Sequence, residues 1–211
     1  IGSGSTTQFA VLALSIVSYV TPQQGRQGGG TVVTVVGEQF SQNAARLGYL
    51  RCRFNQTVVA ATFVNTSTVL CTSPPLATLG ASIGSVTGSV RVEVSNNAAD
   101  FSSSEAVFAY RAEVHVQSLL PASGATSGGS LVQVHGSNFE SAGGLHCRFG
   151  DGTVAGTLVS AEVVRCHAPA RGAAGLVAVE VSTNGGHDFS RSGVTFTYRA
   201  GATVAALLPA N

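Results

Sequence analysis

Apolar and polar residues alternate along this chain in short runs. Val33 and Val35 flank Thr34, Val132 and Val134 flank Gln133, and Val92 and Val94 flank Glu93. A period of two sends successive side chains to opposite faces of an extended backbone, so each run predicts a half-buried β-strand. Turn chemistry bounds the runs: Gly29-Gly30 and Gly128-Gly129 before strands, Asn96-Asn97 and Asn184-Gly185-Gly186 after them. No window of ordinary helix length keeps a 3.6-residue period with caps. Strands are therefore expected throughout. The expected core aromatics are Phe40, Phe54, Phe101, Phe108 and Tyr110, with Phe139, Phe149, Phe189, Phe196 and Tyr198.

The pattern occurs twice. A shift of 99 residues lays Gly29-Gly30…Gly37…Phe40 on Gly128-Gly129…Gly136…Phe139, and Pro22 on Pro121. Cys52 and Cys71 fall on Cys147 and Cys166 at a shift of 95, Val92-Glu93-Val94 on Val179-Glu180-Val181 at 87, and Phe108-Ala109-Tyr110 on Phe196-Thr197-Tyr198 at 88. Insertions thus fall between the runs, at Ser41–Tyr49 and Ala77–Gly88 of the first copy, where loops accept them. Val204 to Ala210 repeats Val116 to Ala122, and Phe9-Ala10-Val11 lies where the end of an earlier copy belongs. The expected organisation is the tail of a preceding repeat over 1–12, domains over 13–111 and 112–200, and the start of a third repeat over 201–211.

Composition narrows the function. A length of 211 residues accommodates two domains of about 100 residues, each with its own core. Charged residues make up only 10%, all 11 basic residues are arginine, and the net charge is +1, which supplies no field for steering towards nucleic acid or an anionic membrane. Arg46, Arg51 and Arg53 cluster without interleaved aromatics and are expected to be solvated strand-face residues. The most apolar stretch, Phe9 to Val20, is too short to span a bilayer, so no membrane insertion is expected in this segment. The chain starts at Ile1 with no basic region ahead of an apolar one, shows no signal peptide, and reads as an excerpt of something longer.

Taken in order, the conserved spacing within the chain is Pro, Gly-Gly, an alternating run, Gly-x-x-Phe, Cys-x-Phe, Cys-x-x-Pro, Val-x-Val and Phe-x-Tyr, and it is found twice. This order resembles the IPT/TIG family, immunoglobulin-like domains shared by plexins, Met-type receptors, fibrocystin-like surface proteins and some transcription factors. The resemblance covers residues 13–199. It implies an all-β chain of tandem immunoglobulin-like sandwiches, and the cysteine-bearing version resembles the extracellular branch of the family, not the Rel-type nuclear one.

Two equal pairs fit one disulfide per copy, Cys52–Cys71 and Cys147–Cys166, which implies an oxidising compartment. A metal site is the sharper alternative, because the second copy reads His146-Cys147 and Cys166-His167; free thiols are the third. Against metal, strand neighbours point to opposite faces, and the first copy has Arg51 and Thr72 in place of the histidines. Two sequons, Asn55-Gln56-Thr57 and Asn65-Thr66-Ser67, are candidate N-glycosylation sites. Gly28-Gly29-Gly30-Thr31 lacks the helix and lysine of a phosphate loop. His187, Asp188 and Ser190 lie too close together for a hydrolytic triad, and the first copy lacks the histidine. Asp100, Asp151, Asp188, Glu93 and Glu180 form no dense acidic run for calcium. No catalytic residue, cofactor or metal is expected.

The expected function is a non-enzymatic structural or adhesive segment of a secreted or cell-surface array. It would form a semi-rigid rod or pack into a filament or sheath, with neighbouring repeats and other proteins as partners. A receptor-like ectodomain binding a protein or glycan is the competing class, and an accessory module of a carbohydrate-active enzyme the third.

Overall fold

The structure, a computed structural model, describes residues 14–79 and 88–201. Residues 1–13, 80–87 and 202–211 lie outside the described residues. They hold the expected tail of a preceding repeat, most of the first-copy insertion and the start of a third repeat. The chain parts into two compact units between Tyr110 and Arg111.

In the first unit the strands are β1 (Ile16–Thr21), β2 (Gln24–Arg26), β3 (Val32–Glu38), β4 (Arg51–Phe54), β5 (Thr57–Asn65), β6 (Thr68–Thr72), β7 (Gly88–Ser95) and β8 (Val107–Arg111). They form one hydrogen-bonded ladder in the order β1-β3-β6-β5-β4-β7-β8-β2. The ladder doubles over at β5. Through Ala60 this strand pairs with β4, and from Ala61 it pairs with β6. One half of the ladder thereby faces the other as a sandwich, which suits strands with one apolar face.

The second unit repeats this with β9 (His115–Leu120), β10 (Ser123–Ala125), β11 (Leu131–Ser137), β12 (His146–Phe149), β13 (Gly152–Ser160), β14 (Val163–His167), β15 (Gly175–Ser182) and β16 (Thr195–Arg199). Its ladder runs β10-β16-β15-β12-β13-β14-β11-β9. Here β10 lies parallel to β16, while the other pairs are antiparallel.

The alternation seen in the sequence is the burial pattern. Val33 and Val35 on β3, and Val132 and Val134 on β11, are fully enclosed, while Thr34 and Gln133 between them face outward. Each core centres on three aromatic rings in edge-to-face contact. These are Phe54, Phe108 and Tyr110 at centroid distances of 5.8 and 5.1 Å, and Phe149, Phe196 and Tyr198 at 5.4 and 5.1 Å. Such contacts add to the burial of the rings themselves.

One departure from the expected strands is a helical turn, α1 (Gln42–Arg46), in the segment after β3 that is four residues longer than its counterpart. Five residues cannot show a helical period, so the pattern held no sign of it. Ser41 caps it by accepting from Ala44 N at 3.2 Å, Ala44 is buried, and the chain leaves through Gly48. Asn96 anchors the segment: its Oδ1 accepts from Ser41 N at 3.0 Å and its Nδ2 donates to Gln39 O at 2.8 Å.

The pairing registers also fix where the chain enters and leaves each unit. Ile16 at the start of β1 lies opposite Glu38, and Tyr110 near the end of β8 lies opposite Gly88, with β7 antiparallel to β4. Entry is thus at the end holding α1, and exit at the end holding the β4–β5 turn. The second unit has the same registers, His115 opposite Ser137 and Tyr198 opposite Gly175.

Candidate functional site

The cysteines occupy the point where the ladder folds. Cys52 on β4 lies opposite Val59, Cys71 on β6 lies opposite Ala61, and the two are joined. The bond therefore ties β4 to β6 across Ala60, the residue at which β5 changes partner. In a flat sheet, strands two apart are separated by roughly 9.5 Å; here the Cα atoms are 6.2 Å apart. In the second unit Cys147 lies opposite Val154, Cys166 opposite Gly156, and their Cα atoms are 6.4 Å apart. All four cysteines are buried and none is free. Cys147 points into the core while His146 sits on the outer face of β12, so the His-Cys pairs do not converge on one ion.

Beside each staple lies a latch. The Tyr110 hydroxyl donates to Pro74 O at 2.8 Å, and the Tyr198 hydroxyl donates to Pro169 O at 2.8 Å. Both prolines belong to Cys-x-x-Pro and both tyrosines to Phe-x-Tyr, so one hydrogen bond accounts for two repeated motifs. Burial raises the Tyr110 hydroxyl well above the ordinary phenol range, and it raises Tyr198 too, with the Arg171 guanidinium opposing. An unfolded tyrosine ionises near pH 10, while folded Tyr110 keeps its proton beyond that. The unfolded state then binds fewer protons, so stability is level below about pH 10 and falls as the pH rises further. Urea midpoints of the first unit should decline from about pH 9.5 to 11 in the native chain and less steeply in Tyr110→Phe. The variant should also lose about 1 kcal/mol at neutral pH with the hydrogen bond. Identical slopes would refute the assignment.

On the outer face, Arg53 Nε donates to Glu93 Oε2 at 2.7 Å, and its guanidinium lies 4.3 Å from the Phe101 ring centroid. Arg148 Nη2 donates to Glu180 Oε2, and its guanidinium lies 4.1 Å from the Phe189 centroid. Phe101 and Phe189 are therefore not core aromatics: they lie half-buried outside, beneath arginines that are stacked and paired. The cause is the next residue. Ser102 N donates to Val94 O and its Oγ accepts from Val94 N, which clamps the loop along β7 and leaves Phe101 on the outside. Ser190 makes the same two bonds to Val181, so this serine is a clamp. Asp188 exchanges hydrogen bonds with Asn184, not with His187. Arg46 and Arg51 have no carboxylate partner among the described residues.

The two sequon asparagines stand at opposite ends of β5, a nine-residue strand about 30 Å long. Asn55, in the β4–β5 turn, is exposed and its Nδ2 donates to Leu79 O at 3.1 Å. Asn65 is exposed, and its Oδ1 accepts from Ser67 N at 2.9 Å and Ser67 Oγ at 2.8 Å. The two units differ most in outward-facing side chains. Leu47 and Tyr49 after α1 are more than half exposed and fall within the insertion, whereas the second unit reaches β12 through Gly143-Gly144.

Comparison with known proteins follows this geometry. No curated protein matches the chain. Among solved structures it is similar to the plexin A4 full extracellular region, at a TM-score of 0.55 and 16% identity over 95% of this chain, which spans 17% of that chain. SGBP-B of the Bacteroides ovatus mixed-linkage glucan utilization locus, in complex with a mixed-linkage heptasaccharide, is similar at a TM-score of 0.30 and 12% identity, covering 82% of this chain and 41% of that one. The sequence profile of the IPT/TIG domain matches residues 15–110 and 115–198, most of the chain and both sandwiches, and the chain belongs to the IPT/TIG family.

Proposed function

We propose that the chain is a non-enzymatic, extracellular segment of an IPT/TIG array, in which disulfide-stapled sandwiches joined end to end form a semi-rigid rod that structural or adhesive assemblies use as a spacer. The observation that carries this reading is the path of the chain. In both units it enters at one end of the sandwich and leaves at the other, as a linear array requires. Both cysteine pairs are joined, which fits an oxidising compartment. So does the similar plexin A4 chain, itself an extracellular region. The sequons at the two ends of β5 are proposed glycan acceptors, placed where a bulky sugar leaves the strand faces clear.

Small-angle scattering on the 211-residue chain and on a tandem duplication of it, secreted from a eukaryotic host, tests the reading. The maximum dimension should grow by about 40 Å per added unit, since a nine-residue strand sets a unit length near 30 Å before turns are added. Growth as the cube root of mass would mean compaction and would exclude the rod. Intact mass before and after glycosidase should show loss of sugar that Asn55→Gln and Asn65→Gln each reduce.

A further inference from the structure

All five histidines of the chain lie after residue 111, and the registers bring three of them to one sheet face. On the outer side of β9-β11-β14-β13, His115 lies opposite Ser137, His135 opposite Val163, Gln133 opposite Arg165, and Leu131 opposite His167. The neighbours Val132, Val134, Val164 and Cys166 point into the core, so the cationic residues share the outward row positions. His115, Arg165 and His167 are exposed and His135 is half-buried. Nδ1 of His115 lies 3.4 Å from Ser192 Oγ, and Nδ1 of His167 lies 3.3 Å from Gly129 O. Thr157 and Val159 bring no charge from β13, and the carboxylates nearest in sequence, Glu113, Glu140 and Glu162, stand beyond the strand ends.

The first unit is the control that the molecule itself provides. At the four equivalent positions it carries Ile16, Val36, Leu70 and Thr72, and it folds into the same ladder. The sandwich therefore has no need of cations there. We propose that this face of the second unit binds an anionic polysaccharide, carboxylated or sulfated, and that it does so more tightly as the pH falls. Imidazole is the side chain able to take up a proton on mild acidification, so three of them beside Arg165 make a face whose positive charge can grow as the pH falls. The spread of these side chains over three strands decides the occupant. Four side chains standing on a sheet about 14 Å wide do not converge on a small anion, whereas an extended polymer can meet them one after another and add weak contacts together. The face stands apart from the rod reading, since it would bind whether or not the units align, and the two tests fail separately.

The test is retention of the 211-residue chain on immobilised heparin and polygalacturonate at about pH 5 and pH 7.5 at fixed moderate salt. Because binding takes up protons, affinity should rise roughly tenfold or more on acidification. His115→Gln/His135→Gln/His167→Gln should lose that gain, and Arg165→Gln should weaken binding at both pH values. His146→Gln/His187→Gln removes the other two imidazoles and should change nothing. That control separates this face from the general gain of positive charge at low pH. Thermal melts at both pH values confirm that each variant is folded. Pairwise calorimetry in buffers of different ionisation enthalpy should report proton uptake by the native chain and none by the triple variant. Retention independent of pH, equal losses in the double and triple variants, or equal retention on polyglutamate would overturn the assignment, the last by pointing to an acidic protein instead.

Discussion

Replacing Cys147 and Cys166 together by alanine should cost the second unit about 3 kcal/mol, the chain-entropy value for closing a loop of this length. The pair is 19 residues apart in sequence. For a unit of this size the loss corresponds to a fall in melting temperature of roughly 10–20 °C. Cys52→Ala/Cys71→Ala should do the same to the first unit. Position gives a reason to expect at least this much. The bond does not close a surface loop; it holds β4 on β6 where β5 transfers its pairing from one to the other. Without it, the point where the ladder doubles over is held by backbone hydrogen bonds and core packing. Urea titrations of the native chain, each double variant and the native chain under dithiothreitol supply the comparison. Reduction should match the sum of the two variants, since the pairs lie in separate units and share no neighbours. A loss below about 1 kcal/mol would show the bond to be incidental to the fold.

Much of this architecture was legible because the chain states it twice. The strands, the two units and the equivalence of the cysteine pairs follow from period-two alternation and from spacings that persist while side chains change. What stayed hidden was of two kinds. Phe101 and Phe189 look like core residues by type, and only the Ser102 and Ser190 clamps place them outside. A serine two positions from an aspartate carries no signal of a backbone clamp in sequence. The histidine face was hidden for a different reason. His135, Arg165 and His167 are up to 32 positions apart, and adjacency between strands is a property of register, which the alternation alone leaves open.

Gly128→Ala should cost roughly 3 kcal/mol, because two costs add there. The first is conformational: Gly128 has a φ of +77°, and holding alanine in that region costs about 1 kcal/mol. The second is contact. A Cβ at this position would stand 2.8 Å from the carbonyl carbon of Pro169 and 2.9 Å from Ala168 O, both backbone atoms that cannot swing aside. Gly129 separates the two, since its φ is +80° but an added Cβ meets nothing within 4 Å. Gly129→Ala should therefore lose only about 1 kcal/mol, and the difference between neighbours measures the contact. That contact explains why the motif is a glycine pair followed much later by Cys-x-x-Pro. Gly129 N donates to Ala168 O, Pro169 O accepts from the Tyr198 hydroxyl, and Cys166 begins the same segment. A Cβ at Gly128 would push this segment away from the turn and so strain the latch and the staple together. Gly29, with Pro74 and Pro75 against it and Tyr110 beyond, makes the same junction in the first unit, so Gly29→Ala and Gly30→Ala should reproduce the contrast. Equal losses at the two glycines of a pair, in urea titrations of otherwise native chains, would mean that backbone conformation alone selects them and that the turn does not bear on the proline segment.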